Sequence, residues 1–100
     1  MPRLSDHQRA RKEIERRKVL RVLYASSDVG TNESTIYSML QIDRFPVTPS
    51  EIRAYLDYLE QKGLVEIEDR ERDVWFAKIT AKGIDVLEGA IPVPPGVSKG

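Results

Sequence analysis

One hundred residues with 40% hydrophobic and 32% charged side chains supply one small core and not two. Sixteen basic side chains balance sixteen acidic ones, which argues against a strongly basic nucleic-acid binder, and the lack of cysteine excludes disulfides and thiolate metal sites. No apolar run reaches the roughly 20 residues that span a bilayer, and the polar, basic start has no secretory apolar segment, so a chain of the cytoplasm with no membrane partner is expected.

The charge is unevenly spread. Residues 1–25 carry eight basic side chains (Arg3, Arg9, Arg11, Lys12, Arg16, Arg17, Lys18, Arg21) against three acidic ones (Asp6, Glu13, Glu15), and residues 26–100 carry the compensating acidic excess. Residues 8–26 read as a helix rich in Arg, Lys, Glu and Leu, without Gly or Pro. Val19, Leu20, Val22 and Leu23 share an apolar face, but Arg16 and Lys12 continue that face toward the N-terminus. Residues 1–18 are therefore expected to be a basic helical extension that projects from the domain or meets something acidic, phosphate or a neighbouring subunit. A solvated helix with a Glu13–Arg17 pair is the alternative. The domain proper spans residues 19–90.

A loop over residues 26–30 leads to a second helix, residues 32–41, capped by Asn32 or Thr31, with Ile36, Met39 and Leu40 on one face. The connection over residues 41–47 contains Pro46, which favours an extended Phe45, and Phe45 and Val47 should tuck under the next helix. That third helix is the best-specified element. Thr48 as cap, Pro49 in the first turn and Glu51 three residues past the cap make a capping box, and Gly63 supplies the left-handed stop. Ile52, Tyr55, Leu56 and Leu59 make its apolar face, leaving Ser50, Arg53, Ala54, Asp57, Tyr58 and Gln61 presented.

Leu64, Val65 and Ile67 alternate with Glu66 and Glu68 as a strand, residues 74–79 form a second, and residues 69–73 (DRERD) make an exposed hairpin tip. Trp75 and Phe76 are neighbours on a strand, so one faces the core and the other faces out, where it packs on a helix or offers a stacking platform. Thr80 caps a last helix through about Leu87, with Ile84 and Leu87 inward. Residues 91–100 hold three prolines and are expected to be an extended, polyproline-like tail laid along the surface.

Helix, helix, helix, strand, charged tip, strand, helix resembles the winged helix-turn-helix regulators of the MarR, PadR and ArsR kinds. The stretches that carry it are IRAYLDYLEQKGLVE (residues 52–66) and KITAKGIDVLEG (residues 78–89). A closer resemblance, over nearly the whole chain, is to a family of small winged-helix proteins of Mu-like transposable phages and prophages. It rests on NESTIYSML (residues 32–40), the long connection after it, EQKGLVEIED (residues 60–69) and the VPPGV tail (residues 93–97). The resemblance implies a mainly α winged helix with a small β-hairpin. It also implies a phage-encoded protein that binds double-stranded DNA in transcriptional regulation or phage DNA transactions, in a bacterial host cytoplasm.

Reading bases in a groove requires side chains that hydrogen-bond base edges and cations that neutralise phosphate. On the third helix, Arg53 has the fork to meet a guanine, Ser50 can hold a phosphate at the helix start and Tyr58 can reach the backbone. Ala54 lies on the same face, and Asp57 there opposes phosphate. Arg70 and Arg72 at the hairpin tip, and Arg9, Arg11, Lys12, Arg16 and Arg17 on the first helix, are the candidate phosphate contacts. The acid-rich tip has an internally paired reading as well. A homodimer through the first and last helices, around Val22, Ile84 and Leu87, is expected by analogy. The alternative function is a protein-interaction module that keeps the winged-helix shape without groove readout, favoured by the neutral net charge and Asp57. One histidine, His7, without a ligand cluster, no glycine-rich phosphate loop and no apolar carboxylate pair leave no enzyme, cofactor, metal or small-molecule ligand to expect.

Overall fold

The computed structural model describes residues 5–26 and 29–100, so Arg3 of the basic N-terminal group and residues 27–28 of the expected loop lie outside the described residues. Four helices and three short strands follow in the order α1 (Asp6–Ser26), β1 (Thr31–Asn32), α2 (Glu33–Ile42), α3 (Pro49–Gln61), β2 (Val65–Glu68), β3 (Phe76–Ile79) and α4 (Ala81–Leu87). The strands make one antiparallel sheet in the order β1-β3-β2, with Val65 opposite Ile79 and Ile67 opposite Ala77, while Ala77 also faces Thr31 across the other ladder. Among the described residues no helix is long and apolar enough to cross a membrane.

Local chemistry accounts for the helix limits. Thr48 Oγ1 accepts from the Glu51 backbone N–H at 3.2 Å and Glu51 Oε1 accepts from the Thr48 N–H at 2.8 Å, so the capping box of α3 is complete. Gly63 ends α3 at φ 76°. Asn32 caps α2 by accepting from the Thr35 N–H at 2.8 Å, and Thr80 caps α4 through the Gly83 N–H at 3.1 Å. The same Thr80 hydroxyl donates to the Gly63 carbonyl at 2.7 Å, which ties the end of α3 to the start of α4. The turn after α2, residues 43–47, holds no glycine. Arg44 takes the left-handed conformation at φ 62° that a glycine ordinarily supplies in such a turn.

One apolar cluster joins every helix: Val19, Leu20 and Leu23 from α1, Ile36 and Leu40 from α2, the four expected residues Ile52, Tyr55, Leu56 and Leu59 from α3, and Val86 from α4. Val47 closes it below α3 as expected, with Phe45 half-buried beside it.

Four expectations are corrected. Thr31 and Asn32 form strand β1, too short for any alternation to announce, and its pairing with β3 exists only in the folded chain. Met39 is exposed, because α2 sets only the i, i+4 pair Ile36 and Leu40 on the core. In α4, Ile84 and Leu87 do pack inward on the core, half-buried, beside the more deeply buried Gly83 and Val86. The N-terminal half of α1 does not project as a whole: only its first turns, residues 6–11, are exposed throughout. Beyond them it lies along α3, with Glu15 buried against Tyr55 and Arg16 bonded to the tail, while Arg16 Nε and Arg17 Nε are buried without a hydrogen-bond partner among the described residues. Nor is the tail a mere surface strand: Val97 is buried in the core and the Ser98 N–H donates to the Glu13 carbonyl at 3.1 Å.

Candidate functional site

The capping box orients the first turn of α3, and its apolar stripe turns Ser50, Ala54 and Gln61 to solvent, with Asp57 half-buried beside them. Arg53, expected to reach outward from this face, and Arg70, expected to do so from the hairpin tip, are both occupied. Arg53 forks onto Glu33 of α2, Nε to Oε2 and Nη2 to Oε1 both at 2.7 Å, and Nη2 also donates to the Asp73 carbonyl at 2.5 Å. Arg70 places Nη2 at 2.7 Å from Asp57 Oδ1 and 2.5 Å from Glu60 Oε1, folding the hairpin tip back onto α3. A guanidinium committed edge-on to one carboxylate cannot present that edge to a guanine. Among the described residues Arg53 Nη1 makes no hydrogen bond to the protein, and it is the nitrogen left for a ligand.

Trp75 organises both arginines. Each guanidinium carbon sits 4.7 Å from a centroid of its ring, Trp75 Nε1 donates to the Arg70 carbonyl at 3.0 Å, and the Trp75 N–H donates to Glu33 at 3.1 Å. Trp75 is thus half-buried between α3 and the hairpin tip, and Phe76 is half-buried on the other side of the strand, where its partners are Asn32 and Glu68. The Arg53 hydrogen bond holds the Glu33 carboxyl below the usual range despite partial burial, with help from the Trp75 N–H. Burial works to raise Glu60, but Arg70 and the Ile67 N–H outweigh it and bring the carboxyl down. Arg72 is the exposed cation of the tip, with only a 3.7 Å approach to Asp69.

The first turn of α3 stands between two clefts. One, of about 470 Å³, opens between α2 and α3 and is lined by Glu33, Ser34, Tyr37, Ser38, Pro49, Ser50 and Arg53. The other, of about 240 Å³, lies between α1 and the entry to α3 and is lined by Gln8, Arg11, Lys12, Glu15, Pro46, Glu51 and Tyr55. Arg11 Nη2 reaches the Pro46 carbonyl at 3.5 Å, its Nε is bound to Glu15 at 2.9 Å, and Lys12 Nζ stands 6.0 Å from the Tyr55 ring.

The fold therefore divides the residues expected to act together. Ser50, Arg53 and Ala54 lie at the first turns of α3, with Arg11 and Lys12 beside them, and Arg9 exposed one turn earlier on α1. Arg16 and Arg17 do not join them. Arg16 lies with its guanidinium carbon 3.9 Å from the Tyr58 ring centroid and donates to the Gly96 carbonyl at 2.9 Å, and Arg17 donates to the Ser98 carbonyl at 3.0 Å. Tyr58 in turn donates to the Pro95 carbonyl at 3.1 Å, so the tail covers it. Ser34, Tyr37 and Ser38 were missed. Their spacing of i, i+3 and i+4 on α2 marks a polar stripe beside Ile36 and Leu40, but only the angle between α2 and α3 makes it a cleft wall. No protein-family model and no curated protein matches this chain.

Proposed function

We propose that the chain is a winged helix-turn-helix protein that binds double-stranded DNA through the first turn of α3 and its two flanking clefts. On this reading α2 and α3 are the helix-turn-helix and the β2–β3 hairpin is the wing. The protein acts in transcriptional regulation or phage DNA transactions, as its resemblance to the Mu-like phage proteins implies. The observation that carries the reading is the position of that first turn, between hydroxyls on one side and cations on the other. Ser34, Ser38 and Ser50 are suited to phosphate oxygens, and Arg11 and Lys12 supply positive charge at the neighbouring cleft. Arg53, stiffened by Glu33 and Trp75, contributes its Nη1 edge as a positioning contact.

A second reading, a protein-interaction module, is favoured by one observation. Residues 48–79, covering α3 and the hairpin, contain eight acidic side chains against five basic ones. A fluorescence-anisotropy titration of a labelled duplex of about 25 base pairs at about 50 mM salt separates the two. Engagement of Arg9, Arg11 and Lys12 gives a log–log salt slope of about −3, and Arg11→Ala with Lys12→Ala reduces its magnitude by about 2. Affinity no tighter than about millimolar, or a slope indifferent to that double substitution, removes the DNA reading.

A further inference from the structure

Discriminating one base from another takes a side chain with paired hydrogen-bonding groups, an arginine fork, an amide or a carboxylate, because a lone hydroxyl bonds to any base. On α3 every side chain of that kind is already held. Both donor edges of Arg53 are used, on Glu33 and on the Asp73 carbonyl, so Nη1 remains alone. Asp57 accepts from Arg70 at 2.7 Å and from the Gln61 amide at 3.3 Å, which occupies Asp57 and Gln61 together. Glu51 closes the capping box, and Glu60 holds Arg70 and the Ile67 N–H. The Tyr58 hydroxyl lies under the tail, and Lys62 stands beside the Tyr58 ring at the far end of the helix.

Opening these pairs to read a base is costly. Withdrawing Arg53 strands Glu33, whose side chain is 13% exposed. Withdrawing Arg70 leaves Asp57 as a bare carboxylate on the face that meets phosphate. What the first turns of α3 leave open is the Ala54 methyl and the Ser50 hydroxyl, which meets that of Thr48 at 3.2 Å, with Ser34 and Ser38 across the cleft. Hydroxyls suit phosphate oxygens, and one methyl gives a single apolar contact with thymine. At the wing, Arg72 is a lone cation between Glu71 and Asp73, and Lys12 at the other cleft is a point charge.

We infer that the duplex is bound without regard to its base sequence. The partner is the phosphate backbone, met by Ser34, Ser38 and Ser50 on one side and by Arg11 and Lys12 on the other. This rests on DNA binding as proposed, and it narrows the role. Backbone recognition alone suits phage DNA transactions along a length of duplex, whereas marking an operator requires base contacts. The chain measures 39 × 32 × 26 Å and base pairs repeat every ~3.4 Å, so each copy covers about 8–12 base pairs, and copies load a duplex in proportion to its length.

The test uses the full chain in two measurements. In the first, a pool of duplexes with about 25 random base pairs is taken through repeated rounds of capture at about 50 mM salt and sequenced. Any enriched duplex is compared by fluorescence anisotropy with A·T-only, G·C-only and mixed duplexes of the same length. The expected result is no enriched motif and dissociation constants within about fivefold of one another, less than the roughly tenfold that one bidentate base contact contributes. In the second, sedimentation velocity counts the copies on duplexes of about 25 and about 100 base pairs, and about four times as many are expected on the longer. A motif bound more tightly than the fivefold margin overturns the inference and leaves DNA binding standing. So does a copy number that is the same on both lengths. Failure to bind any of these duplexes removes the DNA reading itself, and sequence-independent binding with it.

Discussion

Tyr55 of α3 donates its hydroxyl to Glu15 of α1 at 2.5 Å inside the helix interface, and Arg11 holds the other carboxylate oxygen at 2.9 Å. Glu15 is 1% exposed, the one buried charged residue among those described. Burying a carboxylate is costly unless its oxygens are met, and here both are. Glu15→Ala leaves the phenol unpaired and is expected to cost about 1–3 kcal/mol in urea unfolding, while Glu15→Met with Tyr55→Phe recovers most of that loss. Equal losses in the single and the double variant would show the pair to be unimportant.

The same phenol sets an alkaline limit. Burial first, and then the Glu15 hydrogen bond, push the Tyr55 ionisation well above the ordinary tyrosine range. An unfolded tyrosine titrates near about 10, so the folded state holds its proton longer than the unfolded one. The stabilisation is complete below that pH and is lost as pH rises above it. Tyr55→Phe is expected to flatten the fall of thermal stability above about pH 10, a comparison that calorimetry makes directly.

At the acid end the sign reverses. Glu33 is held below the usual carboxylate range chiefly by its hydrogen bond to Arg53, so its contribution is present above the unfolded value and lost as pH falls through the folded one. Trp75, the chain's single tryptophan, touches Glu33, Arg53 and Arg70. Its fluorescence is expected to change as pH drops below about 4.5, and Glu33→Gln should remove that transition. An unchanged transition in the variant would assign it to another group.

Gly83 reverses an ordinary rule. Glycine inside a helix usually costs about 1 kcal/mol relative to alanine. Here a Cβ would fall 2.3 Å from the Leu64 carbonyl oxygen and 2.7 Å from Ile79 Cγ1, where α4 crosses the start of β2. Gly83→Ala is expected to lower stability by about 1–3 kcal/mol in denaturant titration; a gain would mean that α4 docks less closely.

The tail is a structural strap in this fold. Val97→Ala is expected to cost about 1–3 kcal/mol of stability, and Gly96→Ala to loosen the tail, because a Cβ there overlaps the Tyr58 hydroxyl at a backbone φ of 90°. Arg16→Ala and Arg17→Ala should lower the melting temperature and, on the proposed DNA-binding reading, leave the salt slope for duplex DNA unchanged. A slope reduced by about 2 would return both arginines to the phosphate contacts.

Much of the backbone was legible before any coordinates. Thr48, Pro49, Glu51 and Gly63 state the limits of α3 in the residues themselves, because caps act within a single turn, and the four apolar positions of α3 follow from the 3.6-residue period. The site was legible only in part. Ser50 and Ala54 are exposed where the wheel puts them, but nothing in a linear pattern says that Glu33, twenty residues from Arg53, lies against it, and the paired reading of the tip does not reveal that Arg70 finds its carboxylates on α3. Arg16 and Tyr58 were read as outward for the same reason, their cover arriving from residues 95–96.

What this sequence determined alone is the set of elements, since helix caps, turn residues and hydrophobic period are encoded by neighbours a few positions apart. Only the tertiary structure decided which charged groups remain open to a partner. Pairing a guanidinium with a carboxylate takes an approach of a few ångströms between residues distant in the chain, and the packing of α1, α2, the hairpin and the tail around α3 sets those distances.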